Sequence, residues 1–283
     1  MKNRNQAILF LLCTAILWSA GGILIKSIQW HPMAICGGRS AIAAAFLLLV
    51  SRRLKWHWSW PQIGGGVAYA ALVILFIAAN KLTTAANAIL IQYSAPIYIA
   101  LFSNWFIGEK ITRFDWLIIF IVLAGLTLFF VDEITVEGFW GNICALLSGV
   151  SLAWLFLFMR KQKDADPIES VIIGNILAAV VGIPFILQSA PGGLGWPGLV
   201  AMGIFQLAIP YWLFSQAIKH VTALEAVLIP ILEPILNPIW VLLIVGETPG
   251  PWALVGGIIV LSTVAARGIV VSLNGKSASV TPL

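Results

Sequence analysis

Residues 217–247, AIKHVTALEAVLIPILEPILNPIWVLLIVGE, decide how this chain is built, because nearly the same pattern has already appeared 138 positions earlier. Residues 79–109 read ANKLTTAANAILIQYSAPIYIALFSNWFIGE, and 11 of the 31 positions are identical. The matches include Lys81 with Lys219, Thr84 and Ala85 with Thr222 and Ala223, Pro96 with Pro234, and the closing pairs Gly108, Glu109 and Gly246, Glu247. Apolar stretches coincide by chance more often than average ones. A shared Lys-x-x-Thr-Ala, a central proline and a terminal Gly-Glu in one register exceed what composition produces. The chain reads as one unit written twice.

Composition says where the unit lives. The chain is 60% hydrophobic and 10% charged, against roughly 45–50% and about 25% in a soluble domain, and its mean hydropathy is +1.00. Ten apolar segments can be marked, at 6–26, 32–51, 61–81, 84–106, 114–131, 137–159, 167–187, 196–219, 222–245 and 250–271. Each can cross a hydrocarbon layer of about 30 Å as a helix and is too long for a barrel strand. The expected fold is an all-α polytopic membrane protein of ten transmembrane helices. Residues 1–135 form a first five-helix repeat, 136–273 a second, and 274–283 a flexible cytoplasmic tail. Lys2 and Arg4 before an apolar run resemble a secretory signal. The run is long for a signal core, however, and Trp18 has an approximate counterpart at Trp154 in the sixth segment, so the first helix reads as part of the fold.

A net charge of +5 could suggest nucleic acid, but the basic residues sit in short loops at one face. With the N-terminus in the cytoplasm, 13 of the 16 lysines and arginines lie inside. Only Lys26 and Lys81 lie outside, and Arg39 falls within the second segment. Basic loops stay on the cytoplasmic side, which places both ends there. Asp132, Glu133, Glu137 and Glu247 fall in the outer loops. Trp56, Trp58, Trp60, Trp105 and Trp116 mark the inner interface, and Trp30, Trp140, Trp196 and Trp252 the outer one. Cys13, Cys36 and Cys144 lie in apolar runs and read as small core residues. His31, His57 and His220 have no partner at metal-ligand spacing, and nothing calls for a cofactor.

Five crossings per unit is an odd number, so the second copy enters the membrane from the opposite side. Such inverted repeats are typical of secondary transporters, which hold solute near the midplane between two packings. Interruptions mark the expected site. Pro96 and Pro234 are equivalent, and Pro230 and Pro238 flank the second. Each removes an amide donor, and freed carbonyls in a membrane need protein or water partners. Glu233 sits at this break, where a lone carboxylate costs commonly about 3 kcal/mol. Pro230, Glu233, Asn237 and Trp240 share one helical face. Gln92 shares a face with Pro96 on the fourth helix, and Tyr93 flanks it. Interhelical bonding explains Gln92 as well as solute contact does. Trp18 lies beside Gly21 and Gly22, which permit bending or close approach. Trp154 and the pair Tyr211, Trp212 lie too deep for the interfacial belt. Together these rings suit an aromatic or apolar solute. Arg39, about seven residues into its helix, is expected to snorkel outward or to meet an outer acid.

The two segments that end in Gly108, Glu109 and Gly246, Glu247, with Pro96 and Glu233, Pro234 upstream, resemble the paired repeats of the drug/metabolite transporter superfamily, EamA type. The likeness runs through all ten spans and is greatest to bacterial exporters of aromatic amino acids and related metabolites. It implies an inner-membrane carrier with a central cavity walled by the first, third, fourth, sixth, eighth and ninth helices.

The expected function is therefore export of amino acids, aromatic or bulky apolar, by alternating access. Trp18, Gln92, Tyr93, Trp154, Tyr211, Trp212, Glu233, Asn237 and Trp240 would meet the solute. Gly21, Gly22, Pro96, Pro230, Pro234 and Pro238 would let the helices bend. Glu233 could carry a proton, though a facilitator needs none. The alternatives are an exchanger of phosphorylated sugars or nucleotides, which would need several cavity cations, and a drug efflux carrier. A channel would show unsaturable conductance. No Ser/His/Asp set, carboxylate pair or His-Glu-x-x-His run points to an enzyme. The partners expected are a small solute and the bilayer, with no nucleic acid, and a monomer suffices.

Overall fold

The computed structural model describes residues 2–19, 28–51, 54–134, 136–236 and 250–277, with side chains through residue 271. Helices follow the apolar pattern. Segment 1 is Lys2–Ser19, segment 2 Pro32–Val50, segment 3 Trp60–Leu82, segment 4 Ala85–Gln92 and then Ala95–Ile107, and segment 5 Arg113–Phe129. Segment 6 is Phe139–Lys161, segment 7 Ile168–Ile186, segment 8 Gly195–Ala217, and segment 10 Pro251–Ser277. Segment 9 opens as Ala223–Leu228 and resumes over residues 232–236. The tenth helix runs to Ser277, beyond the expected start of the tail at residue 274. Among the described residues, seven helices are long and apolar enough to cross a bilayer.

The repeated motif is explained by how helices begin and end. The first amides of a helix lack intrahelical acceptors, and a threonine hydroxyl can supply one. Thr84 accepts from the Asn87 N–H at 3.1 Å. Its equivalent, Thr222, accepts from the Glu225 N–H at 3.1 Å, while Glu225 accepts in return from the Thr222 N–H at 3.0 Å. The glycine of the closing Gly-Glu ends segment 4: Gly108 has φ 74°, a left-handed cap that a β-carbon disfavours. The first copy thus has a threonine start, a proline-marked middle and a glycine stop. The second copy's Gly246 and Glu247 lie outside the described residues.

Packing carries the duplication into three dimensions. Segment 3 packs on segment 6 and segment 8 on segment 1; segment 3 also packs on 7, and segment 8 on 2. Segments 2 and 7 pair with each other, as do 5 and 10. Exchanging the copies, 1 with 6, 2 with 7, 3 with 8 and 5 with 10, maps this set of pairs onto itself. That is the signature of a pseudo-two-fold relation, and copies of five segments make it an inverted one. The self-paired contacts are backbone-close. A β-carbon on Gly37 would stand 2.7 Å from the Gly182 Cα, and one on Gly256 would stand 2.5 Å from the Gly125 carbonyl oxygen. Small residues let membrane helices approach this far, where dispersion rather than hydrophobicity holds them.

Outward faces carry Leu101, Leu117, Phe120, Val180 and Ile258 exposed, as a lipid-facing surface requires. Loops tie the two halves at one end. Ile28–Gln29 pairs antiparallel with Gly192–Gly193, and Trp30 Nε1 donates to the Ser189 carbonyl at 2.9 Å. The bulk of the described chain is helical, and this two-residue bridge sits in loops.

Candidate functional site

Between the copies lies a cavity of about 110 Å³, reached by residues of segments 1, 2, 3, 4, 6, 8 and 9. Two breaks open it. In segment 4 the helix stops at Gln92 and restarts at Ala95, because Pro96 has no N–H for the Gln92 carbonyl. In segment 9, residues 229–231 form a turn, where Pro230 cannot bond Ala226 and Pro234 cannot bond Pro230. The Pro230 carbonyl is met instead by the Glu233 N–H at 2.9 Å. The Gln92 carbonyl lies against Gly149, where a β-carbon would come within 2.7 Å.

These breaks face each other through side chains. Tyr93 Oη donates to Glu233 Oε2 at 2.8 Å, linking the broken helix of one copy to that of the other. Tyr93 is buried and Glu233 half-buried. Both line the cavity, so one carboxylate oxygen is anchored while the group still borders open space. Gln92 Nε2 donates to Ser148 Oγ at 2.7 Å, and Ser148 Oγ donates to the Leu72 carbonyl at 3.2 Å. Gln92 therefore both ties three helices and borders the cavity.

Segment 8 supplies another wall through a local irregularity. Its middle, Met202–Ala208, is a π-helix that runs into Pro210. The proline leaves the Gln206 carbonyl without its usual donor, and π turns are common where a helix is reshaped for a site. Gln206, Leu207 and Tyr211 all reach the cavity. Aromatic rings continue the wall. Tyr211 stands 5.1 Å from Trp18 and 4.9 Å from Tyr69, centroid to centroid, within the range of favourable ring contacts. Tyr69 is fixed in turn by donating to Asn175 Oδ1 at 3.1 Å.

The structure thus gathers Trp18, Gln92, Tyr93, Tyr211, Pro230 and Glu233 around one cavity. Pro96 and Pro234 are buried at the breaks without lining it. Two expected contacts are corrected. Trp154 stacks on Phe102 at 5.3 Å and meets Phe106 edge-on at 5.1 Å. Leu152 and Phe156 are the cavity residues of that helix, and a position midway between two residues four apart points to the far side. Trp212 is 37% exposed, because one step from Tyr211 turns a helix by about 100°. Gly21, Gly22, Asn237, Pro238 and Trp240 lie outside the described residues.

Arg39 is a further correction. Rather than reaching outward, it is 5% exposed and lines the cavity, with Nη1 donating to Gln206 Oε1 at 3.1 Å. The signal was in its neighbours. Ala34, Gly37, Gly38, Ser40 and Ala43 are all buried, and small residues spread round the helix at that level bring neighbouring helices too close for a long side chain to escape. Phe156 was also missed, being one more ring in an apolar run, and so was Gln206, whose facing depends on the π-helix it sits in.

At the end of the bundle that carries the chain's N-terminus, charges join the copies. Arg160 donates from Nε to Glu109 at 2.6 Å and from Nη1 to the Ile218 and Lys219 carbonyls at 2.9 and 3.0 Å. Glu109 Oε2 also accepts from the Ala223 N–H at 2.8 Å. Arg267 pairs with Asp115 at 2.9 Å and Arg4 with Glu225, also across the copies, while Lys219 pairs with Asp166 at 3.4 Å within the second.

Comparison with known proteins gives a consistent result. The EamA-like transporter family matches residues 5–131 and again residues 139–266. The uncharacterized transporter YwfM of Bacillus subtilis is 28% identical, over 86% of this chain and 88% of its own. The pseudopaline exporter CntI of Pseudomonas aeruginosa is 26% identical, over 79% and 81%. The threonine/homoserine exporter RhtA of Salmonella typhimurium is 23% identical, over 85% and 84%. A protein of known crystal structure superposes with a TM-score of 0.81 at 20% identity, covering 94% of this chain and 98% of that one. The family and these relatives are membrane transporters and not enzymes.

Proposed function

This chain belongs to the EamA-like transporter family, and we propose that it exports amino acids with aromatic or bulky apolar side chains from the cytoplasm by alternating access. One observation carries the reading. A carboxylate held by Tyr93 borders a cavity whose walls include the Trp18 and Tyr211 rings. An ammonium group would meet Glu233 and the gap beside it, while a ring or branched chain would lie on the aromatic wall. The relative named as an exporter of threonine and homoserine supports an amino acid as the solute, and both named exporters support outward transport. The basic loops support an inner-membrane location with both ends in the cytoplasm. Helices of one chain enclose the cavity, so a monomer suffices.

A phosphorylated sugar or nucleotide fits less well, because Arg39 is the one cationic residue among those described as lining the cavity, and a phosphate commonly recruits several donors. A lipophilic drug cation would suit Glu233 and the rings, and the same assay separates it. Purified protein in liposomes is loaded with candidate solutes, and counterflow of radiolabelled tryptophan, phenylalanine, threonine, glucose 6-phosphate and tetraphenylphosphonium is measured. Saturable counterflow of the aromatic amino acids is expected. Counterflow of the phosphate or the drug cation without them would overturn the reading.

A further inference from the structure

We propose that Arg39 is the seat of the solute's carboxylate, so that this carrier selects for a free acid group as well as for a side chain. The inference rests on the amino-acid reading above and names a determinant that the reading did not need.

Arg39 is 5% exposed, in the interior of a membrane-spanning helix. A cation at such depth is costly unless an anion or water-filled space accompanies it. Among the described residues, no carboxylate comes within ion-pair distance of it. Its neighbours are neutral, the Gln206 Oε1 at 3.1 Å and the Cys36 thiol on its own helix, and its buried Nε has no hydrogen-bond partner among the described residues. A guanidinium offers five donors in a planar fork. Here one is occupied by a neutral amide, and the group borders a cavity.

Glu233 lines the same cavity, yet its recorded partner is Tyr93 and not Arg39. The two opposite charges are thus kept apart, each with unspent bonding capacity towards the space between them. A zwitterion fits that arrangement: its carboxylate takes the fork of Arg39 in paired hydrogen bonds, and its ammonium turns to Glu233. Arg39 could instead serve only to tie segment 2 to segment 8 through Gln206. That role would be indifferent to what the solute carries.

The test uses the full chain in liposomes, with phenylalanine counterflow challenged by phenylalanine, phenylalanine amide, phenethylamine and 3-phenylpropionate. The amide and the amine lack the acid, and the phenylpropionate lacks the ammonium. In the wild type, phenylalanine should compete about tenfold or more better than its amide or amine, the usual scale for one charged hydrogen-bonded group. Phenylpropionate, which keeps the acid, should lose its competition in Arg39→Gln, whereas phenethylamine should keep its own. Arg39→Gln should raise the half-saturation for phenylalanine about tenfold or more and leave the amine unaffected, and Arg39→Lys should fall between. Competition by the amide or the amine equal to that by phenylalanine in the wild type, or an unchanged half-saturation in a folded Arg39→Gln protein, overturns the inference and leaves the exporter reading standing. A wild type that takes up no amino acid overturns both. Should neither variant fold, the wild-type competition series still decides.

Discussion

Glu109 closes the first copy of the repeated motif, and its substitution by glutamine isolates what that position does. The carboxylate takes Arg160 Nε on one oxygen at 2.6 Å and the Ala223 N–H on the other at 2.8 Å. Glutamine keeps one acceptor oxygen and replaces the other with an amide NH2. Whichever way it turns, a donor faces either a guanidinium or a backbone N–H. A hydrogen bond with a charged partner contributes about 1.5–3 kcal/mol. The side chains are 15% and 18% exposed, so water recovers part of that. The expected net loss is about 2 kcal/mol, or about 30-fold in the unfolding equilibrium. Unfolding in mixed detergent micelles measures it, with the exposed neighbour change Lys110→Gln as a control expected to stay near the wild type. A Glu109→Gln protein within about 0.5 kcal/mol of wild type, the range of a surface change, would refute the argument that this pair clamps the copies. The clamp joins the end of segment 4 to segments 6, 8 and 9. Its loss should therefore also favour, by a similar free energy, any conformation in which those ends part.

Three further outcomes follow from particular contacts. Glu233→Gln should abolish any dependence of transport on an imposed proton gradient while Tyr93 retains an oxygen to donate to; unchanged rate and pH response in liposomes would remove Glu233 as a proton carrier. Trp18→Ala should weaken aromatic solutes by about tenfold, the loss of one ring contact with its burial, whereas Trp154→Ala and Trp212→Ala should leave half-saturation unchanged, since one packs on Phe102 and the other faces outward. Gly37→Val should destabilise the protein by about 1–3 kcal/mol through overpacking, because its β-carbon would press on the Gly182 backbone; Gly268→Ala, with nothing within 4 Å, is the matched neutral change in the same unfolding assay.

The sequence displayed the frame more fully than the site. Helix limits in segments 2 to 8 agreed within two residues because apolar length and Thr, Pro and Gly signals are local, whereas the first helix begins four residues earlier than expected and the tenth runs six further; the 138-residue register exposed the duplication directly. Face assignment needed partners. Tyr211 and Trp212 are adjacent letters of similar chemistry, yet only contact with Trp18 tells which one turns inward. Arg39 looked like a residue near a membrane edge, and its burial depends on how closely segments 7 and 8 approach through Gly182 and Leu199. Gln206 reaches the cavity through a π-helix, whose altered period no regular helical pattern anticipates.

The two copies share a frame but not its chemistry. By the repeat register, Glu233 corresponds to Ala95, Tyr93 to Ile231 and Pro210 to Leu72. The acid, its phenolic donor and the proline that follows the π turn each occur once. A frame that maps onto itself under exchange can give two packings of similar energy, which an alternating carrier requires. If the cavity contents were equally symmetric, a solute could bind in either of two opposed poses and neither would be favoured. If the solute binds as proposed, Glu233 and Arg39, the one carboxylate and the one guanidinium among the described residues that line the cavity, remove that degeneracy. One pose is then bound in both packings, and the solute need not turn over for the frame to change around it. In this reading, duplication supplies the motion, and the divergence of the copies at these positions supplies the recognition.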